Sequence, residues 1–258
     1  MFQIPDMSNR FFASELMDDI HGSQEDLFRT LSQFRAINAL FSRSRTLVKR
    51  YLFPHMLRQG DRHIVCADLG AGGADFALWF TRWCRGKGLR VKMLCVDHDP
   101  RVVRFAQEAC SGHDDIAVVE ASAESIGVIN GPIDYIFCNH FLHHIESGKI
   151  PGLLKTIHDT ARCGFLLNDL ARSKAAYAGF GSFCRVFFRS TMSCRDGLLS
   201  IRKGFTKREI AGLAAQAAFS TPFVAGTLHP ARVFLYCLKE TTEKRKVPSV
   251  NAVAGTGA

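Results

Sequence analysis

The chain has 258 residues, 47% of them apolar, enough for one large domain or one domain with a small attached cap. This mixed composition excludes a low-complexity or fibrous protein, and no run of about 18 apolar residues marks a transmembrane helix. The net charge is +9, but its basic residues are spread out, with modest concentrations at "SRSRTLVKR" (42–50) and "EKRKV" (243–247). That pattern reads first as a solvated basic surface, then as a surface for an anionic substrate or membrane.

In chain order, residues 1–22 read as a loose arm without the basic start and apolar centre of a signal peptide. Ser23 followed by Asp26 opens a helical pattern carried by Leu27, Leu31, Phe34, Ile37 and Phe41. A second helix is expected over 44–57, ending near Pro54 or the Gly60 turn. From Arg62 onward short apolar strands alternate with helices. The strands are "HIVCAD", "RVKMLCVD", "IAVVEA", "IDYIFCN" and "GFLLND", with helices at about 75–85, 100–111, 140–147 with 151–161, and 206–218. Asp99 can cap the helix that Pro100 begins, and Thr206 with Glu209 opens the last one. Such alternation implies an α/β, doubly wound, mostly parallel sheet with ligands outside the carboxyl ends of its strands.

The ending differs. "TPFVAGTL" and "ARVFLYCLKE" are strands joined by the short "HP" turn, which permits a hairpin and no helical crossover, so the last strand runs antiparallel to its neighbour. The division expected is an N-terminal arm and cap helices over 1–58, a core over 59–240 with an inserted substrate cover at about 171–205, and a disordered tail over 241–258. The nine cysteines are scattered singly, and Cys66, Cys95, Cys138 and Cys237 lie inside apolar strands. They read as reduced, buried thiols of a cytoplasmic protein, neither a disulfide framework nor a zinc site.

The glycine turn "VCADLGAGGADFALWF" (65–80) is the chemical centre of the sequence. A dinucleotide turn needs G-x-G-x-x-G, and counting from Gly70 puts Asp75 at the third glycine's place. Asp68 ends the strand before the turn, where a carboxylate opposes a pyrophosphate and suits a cationic ligand. A sulfonium carrying an amino-acid ammonium is such a ligand.

D-x-G-x-G followed by an acidic residue closing the next strand resembles the class I S-adenosylmethionine-dependent methyltransferases. The resemblance covers roughly 60–240, including the seven-stranded sheet with its antiparallel last strand. "DLGAGGAD", "VDHDP", "CNHFLHHI" and "LLNDL" look like the ubiquinone/menaquinone-biosynthesis-like branch, and its members acting on aromatic polyketide or quinone-type molecules. The resemblance implies that Asp68, Gly70, Ala71 and Gly72 border the donor's methionine part. It implies that Asp97 accepts the ribose hydroxyls and that His98 lies beside the adenine. Ser122 and Ala123 stand where the branch contacts adenine, with Ser122 replacing its usual Asp. Ala74 replaces a frequent third glycine, and Asn139 lines the methionine end.

Removing a phenol proton suits a histidine. "NHFLHHI" (139–145) brings three to the ligand edge, and the base is placed first on His143 and second on His144. The same residues can instead serve packing and capping. His140 is assigned to the substrate side. No metal is expected, since "ND" (168–169) is a weak echo of metal-dependent catechol enzymes. Within 174–205, Phe180, Phe183, Phe187 and Phe188 are expected to wall an aromatic pocket, with Arg185, Arg189 or Arg195 meeting a carboxylate or carbonyl. An ordinary helix with a buried Phe stripe, or one touching a membrane surface, would carry the same pattern.

The activity expected is methyl transfer to oxygen of a small aromatic acceptor, with transfer to carbon next. A nucleic-acid methyltransferase is disfavoured for adenine N6 because "NHFL" replaces [Asp/Asn]-Pro-Pro-aromatic, though other RNA targets survive. A non-catalytic S-adenosylmethionine-binding partner subunit is the remaining alternative, and an NAD-dependent dehydrogenase comes last.

Overall fold

The computed structural model describes residues 4–19, 21–59, 63–129, 131–187 and 191–240. The expected tail, with Phe188 and Arg189, lies outside these residues. The seven strands are β1 (His63–Leu69), β2 (Arg90–Asp97), β3 (Ile116–Glu120), β4 (Ile133–Asn139), β5 (Ala161–Leu170), β6 (Phe223–Leu228) and β7 (Arg232–Leu238). They form one sheet in the order β3-β2-β1-β4-β5-β7-β6. β1 to β5 pair in parallel, and β7 runs antiparallel to both β5 and β6. This is the doubly wound α/β sheet the alternation predicts. β1 has β2 on one side and β4 on the other, so the strand order reverses there and opens a crevice at the carboxyl ends.

The helices are α1 (Gln24–Phe41), α2 (Ser44–Leu47), α3 (Phe53–Arg58), α4 (Asp75–Arg85), α5 (Pro100–Ala109), α6 (Ile150–Thr160), α7 (Lys174–Phe187), α8 (Met192–Lys203) and α9 (Lys207–Gln216). Local chemistry sets their starts. The Ser23 hydroxyl accepts from the Asp26 amide, Asp99 accepts from that of Arg101, and Thr206 and Glu209 form a reciprocal cap. The apolar sheet is covered on both faces. Met56, Phe80 and Phe137 belong to the core on the α4 side, and Ile136, Ile157 and Phe165 to that on the α6 and α9 side. β4 is buried along nearly its whole length, as a continuous apolar run in the middle of such a sheet should be. All nine cysteines are free and buried. Among the described residues no helix is long and apolar enough to cross a membrane.

Three expectations are corrected. Of the two ends expected for the second helical region, Pro54 is not the stop, because it falls in the first turn of α3 after a π-helical turn over Val48–Leu52, where a missing N–H is tolerated, and α3 runs on to Arg58, close to the other expected end. The helix expected at 140–147 is only a 3-10 turn, Leu142–His144. His140 takes φ +55° and its amide donates to the Asn168 carbonyl at 2.9 Å, which ties this segment to β5. The described part of the arm is docked, not loose. The Leu16 and Met17 amides donate to the buried Asp196 carboxylate at 2.9 and 3.0 Å, and the Arg10 guanidinium caps the carbonyls of Lys203, His143 and Ile145.

Candidate functional site

The carboxyl ends of β1, β2, β4 and β5 floor a cavity of about 1270 Å³, roofed by residues 12–18, α1, α7 and α8. It has two regions, one over β1–β2 and one over β4–β5–β7.

In the first region the chain leaves β1 through Gly70 and Gly72, at φ +65° and +53°, and enters α4 from Ala74 at φ +57°. A side chain at Gly70 would strike the Phe141 ring, so this backbone approach is open only to glycine. The Gly70 and Ala71 amides donate to the Val96 carbonyl at 2.9 and 3.1 Å, which pins the turn to the end of β2. Asp97 is fixed in turn, accepting from the Gly72 amide at 3.0 Å and the Asp99 amide at 3.2 Å. Two backbone donors leave its carboxylate further lone pairs for a diol. Burial raises its pKa against those bonds.

Asp68 is the unusual group. It is 2% exposed, and its Oδ1 has no hydrogen-bond partner among the described residues. Burial, then the charge of Asp75, pushes its pKa up to about 8. A buried carboxyl left without a counter-charge in a cavity wall is complementary to a cation. Asn139 accepts from the Asn168 amide at 3.3 Å on the same floor. Ser122 caps a short 3-10 turn by accepting from the Glu124 amide, and Ala123 is buried behind it. The His98 side chain is 77% exposed at the rim. Asp68, Gly70, Ala71, Gly72, Asp97, His98, Ser122, Ala123 and Asn139 all line this cavity.

In the second region His143 is buried at the cavity wall. Its Nδ1 lies 2.7 Å from Asp169 Oδ1 and its amide donates to Asp169 Oδ2 at 3.0 Å, while Nε2 has no hydrogen-bond partner among the described residues. Burial lowers the His143 pKa, with Asp169 acting the other way. Burial alone would raise Asp169, yet the charge and hydrogen bond of His143 hold it well below the usual carboxylate range. Asp169 is therefore ionised, Nδ1 carries the proton, and the Nε2 lone pair is free. His144 differs: burial would lower its pKa, but Asp18 and Glu15 raise it.

Glu15 reaches in from the arm, 3.7 Å from His143 Nε2 and 3.8 Å from His144 Nε2. Glu15, His143 and His144 are close enough together to suggest a cation site. Lys203 Nζ, however, lies 3.1 Å from Glu15 and 3.3 Å from His144 Nδ1, so a positive charge already sits there and repels a second.

His140, Phe180 and Phe183 line the cavity, and the two Phe rings stack with centroids 6.2 Å apart. Phe187 and Arg195 do not. Phe187 is 68% exposed near the end of α7, and Arg195 lines a separate small cleft with Gln33 and Thr191. Sequence reading passed over Glu15, Asp169, Lys203 and Arg232 as parts of the site. Of these only Asp169 carried a signal, in the "ND" pair (168–169) that the sequence offered as no more than a weak metal echo.

Residues 66–164 match the family model described as a methyltransferase domain. Solved structures share the fold. The chain is 17% identical to human N-acetylserotonin methyltransferase, crystallised with SAM, at a TM-score of 0.59, covering 90% of this chain and 61% of that one. It therefore spans about three fifths of that enzyme's length. The plantazolicin methyltransferase BpumL, crystallised with SAH, is 11% identical at a TM-score of 0.63, with 83% and 90% covered. A SAM-dependent methyltransferase from Aquifex aeolicus is 12% identical at 0.51, with 81% and 97% covered. No curated protein sequence matches the chain.

Proposed function

We propose that this protein is an S-adenosylmethionine-dependent methyltransferase that methylates a hydroxyl oxygen of a small aromatic acceptor, of the phenolic, polyketide or quinone type, with His143 as the base. The observation that carries the reading is the His143–Asp169 pair, which, among the described residues, leaves Nε2 without a hydrogen-bond partner in a residue lining the cavity shared with the donor residues.

The donor's residues fit their ligand. Asp68 offers an unpartnered carboxyl oxygen for a cation, the Gly70–Gly72 backbone offers close approach, and Asp97 offers a rigid acceptor for a vicinal diol. S-adenosylmethionine, when bound, supplies an electrophilic methyl group on a good leaving group. The protein's own task is then to position the acceptor and take its proton. His143 is neutral near pH 7 because burial lowers its pKa, so Nε2 can receive the hydroxyl proton. Asp169 holds the tautomer and, with Glu15 beside Nε2, stabilises the imidazolium that forms. The docked arm, α7 and α8 roof the cavity against water, and Phe180 with Phe183 gives it an aromatic wall.

Incubating the protein with methyl-labelled S-adenosylmethionine and a cell extract tests the acceptor class. The reading requires label in a small organic-soluble product. Label recovered in RNA, or in no product, overturns it.

A further inference from the structure

Arg232 begins β7 opposite Leu170, the last residue of β5, in the region over β4–β5–β7 and away from Asp97. It is 4% exposed and lines the cavity. Its Nε donates to the Phe41 carbonyl at 2.7 Å, and its Nη1 lies 3.1 and 3.3 Å from the two ring nitrogens of His140. These are its only hydrogen-bond partners among the described residues, and neither is an anion. Burial, then the Arg232 charge, pushes the His140 pKa well down, so the imidazole beside it is neutral. Burial also lowers the Arg232 pKa, to about 10, which leaves the guanidinium charged near neutral pH. Asp169, the acid whose charge reaches Arg232, is committed to His143 through two hydrogen bonds. Lys203, also in the cavity wall, is paired with Glu15.

A guanidinium has five N–H donors, and here the Nη edge keeps unused ones. Holding an unpaired cation out of water is costly unless a ligand completes it, and a planar carboxylate matches the guanidinium fork. Arg185 and Arg195, the residues expected to meet an anion, are exposed and stand outside the cavity. We propose that Arg232 anchors a carboxylate on the methyl acceptor, so that the site takes an aromatic hydroxy acid in preference to its uncharged counterparts. This rests on the methyl-transfer reading of the same cavity.

The test is calorimetry on the full chain saturated with S-adenosylhomocysteine, titrated with salicylate and with methyl salicylate. Salicylate is expected to bind at least about tenfold more tightly, the scale of one charge-assisted contact. Arg232→Gln should bring the ratio close to unity, and Arg232→Lys should keep part of it, since it retains the charge without the fork. Equal binding of acid and ester to the unaltered protein, undetectable acid binding at millimolar concentration, or an unchanged ratio in Arg232→Gln overturns the proposal. Should Arg232→Gln not fold, the unaltered protein and Arg232→Lys decide. If S-adenosylhomocysteine itself fails to bind, the methyl-transfer reading falls, and the acid-to-ester ratio on the protein alone still decides Arg232.

Discussion

Replacing Asp68 by Asn should make the protein more stable at mildly alkaline pH while crippling donor binding. In the unfolded chain this carboxyl titrates at its ordinary 3.8, and in the fold burial pushes it up to about 8. Between those values the folded state holds a proton the unfolded state lacks, so the group contributes a loss of stability as pH rises. At about 1.4 kcal/mol for each pH unit, the span from 3.8 to about 8 sets a ceiling of about 6 kcal/mol. An uncharged Asn escapes that loss. Urea unfolding should show the advantage of Asp68→Asn growing by up to about 3 kcal/mol from about pH 5.5 to about pH 8. A bound cation favours the ionised carboxyl, so the unaltered protein should release a proton on binding S-adenosylmethionine. Its affinity should climb by up to about thirtyfold from about pH 5.5 to about pH 7, where an α-ammonium stays protonated. Calorimetry in buffers of different ionisation enthalpy reads both quantities. Affinity flat across that range, with no proton released, refutes the pairing of Asp68 with a cation.

The other expectations follow from the same geometry. His143→Ala should lower turnover by about a hundredfold or more while leaving donor affinity unchanged in calorimetry. Asp169→Asn should also lower turnover, and because it removes a negative charge that supports the imidazolium, the acid limb of the pH–rate profile should move to lower pH. An unmoved limb would make Asp169 merely structural. Gly70→Ala forces a side chain into the Phe141 ring at positive φ, and should cost about 2 kcal/mol or more in urea unfolding together with donor affinity. Asp97→Ala should weaken S-adenosylmethionine binding by more than about tenfold, and unchanged binding would remove Asp97 from the site.

Local features were the legible ones. Each strand announced itself as a short apolar run, and the capping chemistry at Ser23, Asp99 and Thr206 marked three helix starts correctly. The turn after β1 was readable because Asp68, Gly70 and Gly72 fall within five residues and the two glycines take the positive φ such a turn requires. The second region was legible only in part. His143 stood out, but its partner Asp169 lies 26 residues away and meets it only once β4 and β5 pair. Glu15 and Arg232 are farther off still, brought in by an arm that lacks periodicity and by a strand whose first residue looks like an ordinary surface arginine. The Phe run at 180–187 misled in one place, because Phe180 and Phe183 face the cavity while Phe187 lies near the helix end, turned to solvent.

Methyl transfer to oxygen by a His143 base is tested most directly by nuclear magnetic resonance of the product made with donor carrying a carbon-13 methyl group. The label should appear as a methoxy carbon on an aromatic ring, and the signal should collapse in His143→Ala protein that still binds the donor. A label bonded to ring carbon, or methoxy product formed at full rate without His143, would show that the proposed chemistry is wrong.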